Sequence, residues 1–94
     1  MTNQNKGTST TMYLLMAEFG SRMMIPLEEL ALSVLGMSIN TAKRRAKSCE
    51  LPFPTVKLNE SQKAPYLVSI QDLARYIEDR CTSARIEWTK IHDF

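Results

Sequence analysis

Apolar side chains along the chain recur mostly at helical spacing, and the spacing breaks where glycine or proline intervenes. Met12, Leu15, Met16 and Phe19 fall at i, i+3, i+4 and i+7, which predicts a short helix with Thr11 as N-cap and Gly20 as its stop. Met23, Met24 and Ile25 are too few for a helix and suit a small strand. Leu27, Leu30, Ala31, Val34 and Leu35 then form a second helical stripe, predicting a helix over 26–35. Pro26 fits its first turn, where a missing N–H costs nothing, and Glu28 and Glu29 stand near the positive end of its dipole.

Gly36-Met37-Ser38 makes a short turn, and Ser38 can cap the next helix. There, Ile39, Ala42 and Ala46 share one face, and the alanines allow close approach to the preceding helix. Two helices joined by a three-residue turn with glycine form the helix-turn-helix pattern. Leu51-Pro52-Phe53-Pro54 ends the second helix, because neither proline can donate and each pushes its predecessor toward extended backbone. Thr55 to Leu58 reads as a strand, Asn59 to Pro65 as a polar loop and Tyr66 to Val68 as the returning strand, a hairpin in the position of a wing.

The last segment opens on Ser69 with Asp72 three residues on, a capping-box-like start. Ile70, Ala74, Ile77, Cys81, Ala84, Trp88 and Ile91 follow a four-three spacing without Gly or Pro, predicting one long helix. The expected fold is therefore mainly α with a small β-hairpin wing (α+β), a winged helix-turn-helix with a long C-terminal helix. Residues 1–10, polar and poor in apolar groups, are expected to form a flexible arm, residues 11–80 the domain, and residues 81–94 a helical extension.

Charge sharpens this picture. The net charge of +2 is unevenly placed: residues 39–70 carry Lys43, Arg44, Arg45, Lys47, Lys57 and Lys63 against only Glu50 and Glu60. A cationic middle on a near-neutral body is the footprint of a polyanion-binding surface. At about 100° per residue, Thr41, Arg44, Arg45 and Ser48 point away from the apolar face of the second helix, with Asn40 and Lys47 on its flank. The expected partner is double-stranded DNA. Thr41, Arg44, Arg45 and Ser48 would meet base edges and inner-groove phosphates, while Asn40, Lys43 and Lys47 would meet phosphate. On the wing, Ser61, Gln62 and Lys63 lie in the loop and Lys57 on its solvent face, within reach of backbone or minor groove.

Against each assignment stands a plainer one: a solvated charged face for the cluster, and self-contained hydrogen bonds for the loop. The C-terminal stripe divides the same way. It either packs wholly on its own domain, or Cys81, Ala84, Trp88 and Ile91 form the seam of a homodimer on a symmetric site.

Other classes find little support. One histidine, no glycine-rich phosphate loop and no repeated acidic motif leave nothing from which a triad or nucleotide site could be built, so no enzyme activity and no cofactor are expected. Cys49 and Cys81 form no C-x-x-C pair, so no metal site is expected, and both read as free buried thiols. The apolar run Met12 to Ala17 is far shorter than the roughly 20 residues of a membrane span and too short for a secretory core. A cytoplasmic protein without a membrane partner is expected.

Several segments carry a resemblance. Tyr13-Leu14-Leu15-Met16-Ala17, Ile25-Pro26-Leu27-Glu28, Leu51-Pro52-Phe53-Pro54 and above all Ser61-Gln62-Lys63-Ala64-Pro65 ahead of Asp72-Leu73-Ala74 resemble the pyocin activator (PrtN) family. The stretch from Pro26 to Ile77 is also similar to AlpA and excisionase-type regulators. The first resemblance implies a transcriptional activator of phage or phage-tail-like bacteriocin genes, with RNA polymerase as a further contact. The second implies an architectural factor that bends DNA beside an integrase. A protein-interaction module such as an antirepressor is a third reading, and the residues alone do not choose among them.

Overall fold

The computed structural model describes residues 10–93. Helix α1 spans Thr10–Phe19, strand β1 Met24–Pro26, and helix α2 Leu27–Leu30 runs into a π-helical turn, Ala31–Leu35. Helix α3 spans Ile39–Lys47, strand β2 Leu67–Ser69 and helix α4 Ile70–His92. This is the winged helix-turn-helix with a long C-terminal helix that the patterning predicts. The first helix begins at Thr10, so the N-cap assigned to Thr11 is displaced, and the rest of the expected arm, 1–9, lies outside the described residues.

One core joins these elements. Ile25, Leu27, Leu30, Val68 and Leu73 are its largest fully buried side chains, and Leu15, Ala42, Ala46, Phe53 and Ile70 close around them. Burying a side chain of the first group contributes about 1.5–3 kcal/mol relative to leaving it in water. The Phe53 ring meets Tyr76 edge-on, with centroids 5.4 Å apart, and ties the segment after α3 to α4.

The wing differs from expectation in its pairing. β2 pairs antiparallel with β1, matching Met24 to Ser69, Ile25 to Val68 and Pro26 to Leu67. The predicted strand Thr55 to Leu58 contributes a single bridge, in which Val56 and Leu67 exchange two hydrogen bonds of 2.8 Å. The reason lies in the prolines. In the register of that bridge the next hydrogen-bonding pairs are Pro54 with Ser69 and Leu58 with Pro65, and a proline nitrogen cannot donate in either. On the β1 side Pro26 costs nothing. The ladder bonds there come from Leu27 N–H to the Tyr66 carbonyl at 2.8 Å and Ile70 N–H to the Met23 carbonyl at 2.9 Å, which leaves Pro26 at a position with no ladder bond to make. Burial favours the same choice, since Ile25 and Val68 bury each other while Val56 and Leu58 stay 37% and 72% exposed.

The predicted helix over 26–35 also divides. Pro26 ends β1 with extended backbone (ψ 135°) and precedes the first helical residue. The second half winds as a π turn closed by Gly36, whose N–H reaches back to the Ala31 carbonyl. Gly36 takes φ 67°, a left-handed conformation that costs glycine little, and this turns the chain into α3.

Helix α4 outreaches the body. Its 23 residues extend about 34 Å at 1.5 Å per residue. Ser69 caps it by accepting the Gln71 N–H at 3.2 Å, whereas Asp72 lies 3.9 Å from Arg75 and does not complete a capping box. Only Ile70, Leu73 and Ala74 are buried, and every residue from Asp79 to Asp93 is exposed. Both cysteines are free and exposed, so the expectation of buried thiols is wrong. Cys81 lies on the protruding part of α4, and Cys49 sits at a helix end on the surface.

Candidate nucleic-acid interface

Helix α3 owes its start to Ser38, whose hydroxyl oxygen accepts the Thr41 N–H at 3.1 Å. Its fully buried Ala42 and buried Ala46 face the core, and small residues there let α3 lie close on α2. Ile39, expected on the same inward face, lies at its edge and is 37% exposed.

The end of α3 is built by backbone bonds. Glu50 N–H reaches the Arg45 carbonyl at 2.8 Å and Cys49 N–H the Ala46 carbonyl at 3.1 Å, the paired bonds of a Schellman motif. Cys49 occupies its left-handed position with φ 57°, where glycine is the usual occupant.

On the outer side, Asn40, Arg44, Arg45 and Lys47 are all exposed. No acidic side chain of the described residues pairs with Arg44, Arg45 or Lys47. These three occupy the last turn of α3, where cations also favour the helix dipole. Lys43 is exposed as well, but its Nζ lies 3.0 Å from Glu28 Oε2 at the start of α2. Thr41 is half-buried and its hydroxyl accepts from Ser38 at 2.9 Å, while the Ser48 hydroxyl donates to the Arg44 carbonyl at 3.3 Å. Both hydroxyls thus serve the helix's own ends, and the unpaired chemistry of this face is cationic.

The wing loop divides along similar lines. Ser61 shapes it: its N–H donates to Asn59 Oδ1 at 2.8 Å, and its hydroxyl accepts the Lys63 N–H at 3.1 Å. Gln62 and Lys63 stay exposed at the tip. Lys57, expected on the solvent face, is half-buried, with its Nζ 5.2 Å from the centroid of the Tyr66 ring. An open groove runs between the end of α3 and the base of the wing, floored by Leu51, Phe53 and Tyr66 and flanked by Lys47 and Lys57.

Sequence reasoning missed two residues that shape this face, Glu28 against Lys43 and Tyr66 under Lys57. The first pair joins separate helices and the second spans the wing, and no local pattern marks either.

The PrtN model, described as pyocin activator protein PrtN, matches residues 11–84, most of the chain. This chain belongs to the PrtN family. The match begins within α1, contains the whole helix-turn-helix and wing, and stops within the protruding part of α4. Membership marks a regulator of pyocin genes. No curated protein and no solved structure matches the chain. Among the described residues no helix is long and apolar enough to cross a membrane.

Proposed function

We propose that this PrtN-family protein is a sequence-specific DNA-binding activator of pyocin genes, acting in the cytoplasm by placing the outer face of α3 in the major groove. The observation that carries the reading is the exposed, unpaired cluster of Arg44, Arg45 and Lys47 on the second helix of a helix-turn-helix. Arg44 and Arg45 have the length and fork geometry to pair bidentately with guanine. Asn40 and Lys47 flank them and take phosphates, and Lys43 exchanges Glu28 for a phosphate on docking.

Thr41 and Ser48 have a smaller part, because their hydroxyls already serve the helix ends. Gln62 and Lys63 reach the backbone beside the groove occupied by α3, and Lys57, stacked near Tyr66, adds charge at the wing base. Ser61 acts by shaping the loop.

A mobility-shift and anisotropy series on a pyocin-gene promoter fragment tests this reading. Each phosphate contact contributes about 0.9 to the slope of log affinity against log salt, so binding through four or more contacts should weaken by about a hundredfold or more between roughly 50 and 200 mM salt. A scrambled fragment of equal length should bind far more weakly. Equal affinity for both fragments, or no binding at low salt, would refute the proposal.

A further inference from the structure

The protruding half of α4 carries an apolar stripe that the domain leaves uncovered. Ile70 and Ala74 are buried in the core and Ile77 is half-buried, but from Cys81 onward the same stripe is open, with Trp88 61% and Ile91 74% exposed. The His92 ring stacks on Trp88 with centroids 4.0 Å apart, covering one side of the indole. The four-three spacing gives each position a heptad role: Cys81 and Trp88 occupy one seam position, Ile77, Ala84 and Ile91 the other. Arg80 and Glu87 then flank the seam on one side, and Glu78 and Arg85 on the other.

We propose that a second copy of this chain covers the stripe, the two α4 helices lying antiparallel with Cys81 of each against Ala84 of the other. In that register Ile77 meets the partner's Trp88, so large residues face each other at the ends and small ones at the centre. The flanks match as well. Arg80 lies beside the partner's Glu87, and Glu78, whose carboxylate also accepts the Thr11 hydroxyl of its own chain, beside the partner's Arg85, each pair occurring twice by symmetry. The other seam arrangements lack this complementarity. Shifting the antiparallel pair one heptad outward sets Arg85 against Arg85 and Glu87 against Glu87. A parallel pair sets Arg80 beside Arg85 and crowds both domains at one end.

The seam runs from Trp88 to Ile77, which also packs in part against the core; further in, the stripe is taken by the core, so the partner's last turn after Trp88 diverges from it. Four layers with two small pairs at their centre make a modest interface. Of the seam residues, Trp88 lies beyond the stretch that the family model matches. The inference is independent of the DNA-binding reading.

Analytical ultracentrifugation of the full chain at low salt, over roughly 1 to 300 µM, tests it, since association of about 5–8 kcal/mol falls in that range. The wild type should show a monomer–dimer equilibrium. Trp88→Ala should weaken it at least about tenfold with unchanged far-UV circular dichroism and urea midpoint, since exposed side chains contribute little to folding. Arg80→Glu alone should weaken association about threefold or more, and Arg80→Glu with Glu87→Arg should restore it, by exchange of the flanking charges. A monomer at every concentration would overturn the proposal. So would a dimer indifferent to Trp88→Ala, or a tighter dimer in Arg80→Glu, the signature of parallel pairing.

Discussion

Helix α3 and the outer half of α4 each leave one side without protein cover, yet the two exposed faces have opposite chemistry. On α3 the open side is cationic and its inward side is alanine, so the helix is accounted for within the domain except for its exposed Asn40, Arg44, Arg45 and Lys47. On α4 the open side includes the apolar stripe itself, continuing a seam whose first turns are already core. Exposed cations cost a folded protein almost nothing, whereas exposed Trp and Ile side chains leave burial energy unused. The first face can therefore be lost without affecting the fold, and the root of the second cannot.

The largest effect should come from that root. Leu73→Ala removes a fully buried side chain where α4 joins the core and should cost about 2–5 kcal/mol, read as a lowered urea midpoint with loss of both faces together. Cys49→Gly should work in the opposite direction at the end of α3. It relieves a non-glycine residue at φ 57° and should stabilise the domain by about 1 kcal/mol in the same assay. Glu28→Gln frees Lys43 from its partner at 3.0 Å, and should tighten DNA binding a few-fold, because docking no longer has to break that pair before Lys43 meets a phosphate.

The smallest effect concerns Arg22 and Glu29, an exposed pair. Two hydrogen bonds from the Arg22 guanidinium, at 2.7 and 3.1 Å, together with its charge hold the Glu29 carboxyl below the usual carboxylate range. The pair's support is present above the ordinary carboxylate range and is lost as pH falls through the lowered value. A carboxyl titration by NMR should show Glu29 returning to the ordinary range in Arg22→Ala.

The helices were legible because periodicity reports burial directly: the stripes over Met12 to Phe19, Leu27 to Leu35 and Ile70 to Ile77 are the residues that line or border the core. The partner of Leu67 to Ser69 was not legible. Proximity in the chain favoured Thr55 to Leu58, but Pro54 and Pro65 stop that ladder on both sides while Ile25 offers a buried surface some forty residues away. Cys49 was misread for a related reason, since a small apolar residue resembles core until the backbone is seen to need a left-handed turn there. For the interface, the Arg44 and Arg45 cluster was legible from composition and helical projection. That Lys43 is held by Glu28 and Lys57 lies over Tyr66 depends on how separate segments come together in the fold.

The most direct test of the central claim replaces Arg44 and Arg45 together with alanine and measures promoter affinity and urea stability on the same preparation. The two arginines should account for about 2–6 kcal/mol of specific binding, a loss of thirtyfold or more, with stability within about 0.5 kcal/mol of wild type. A variant that binds the promoter as tightly as the native chain would show that α3 is not the element that reads DNA.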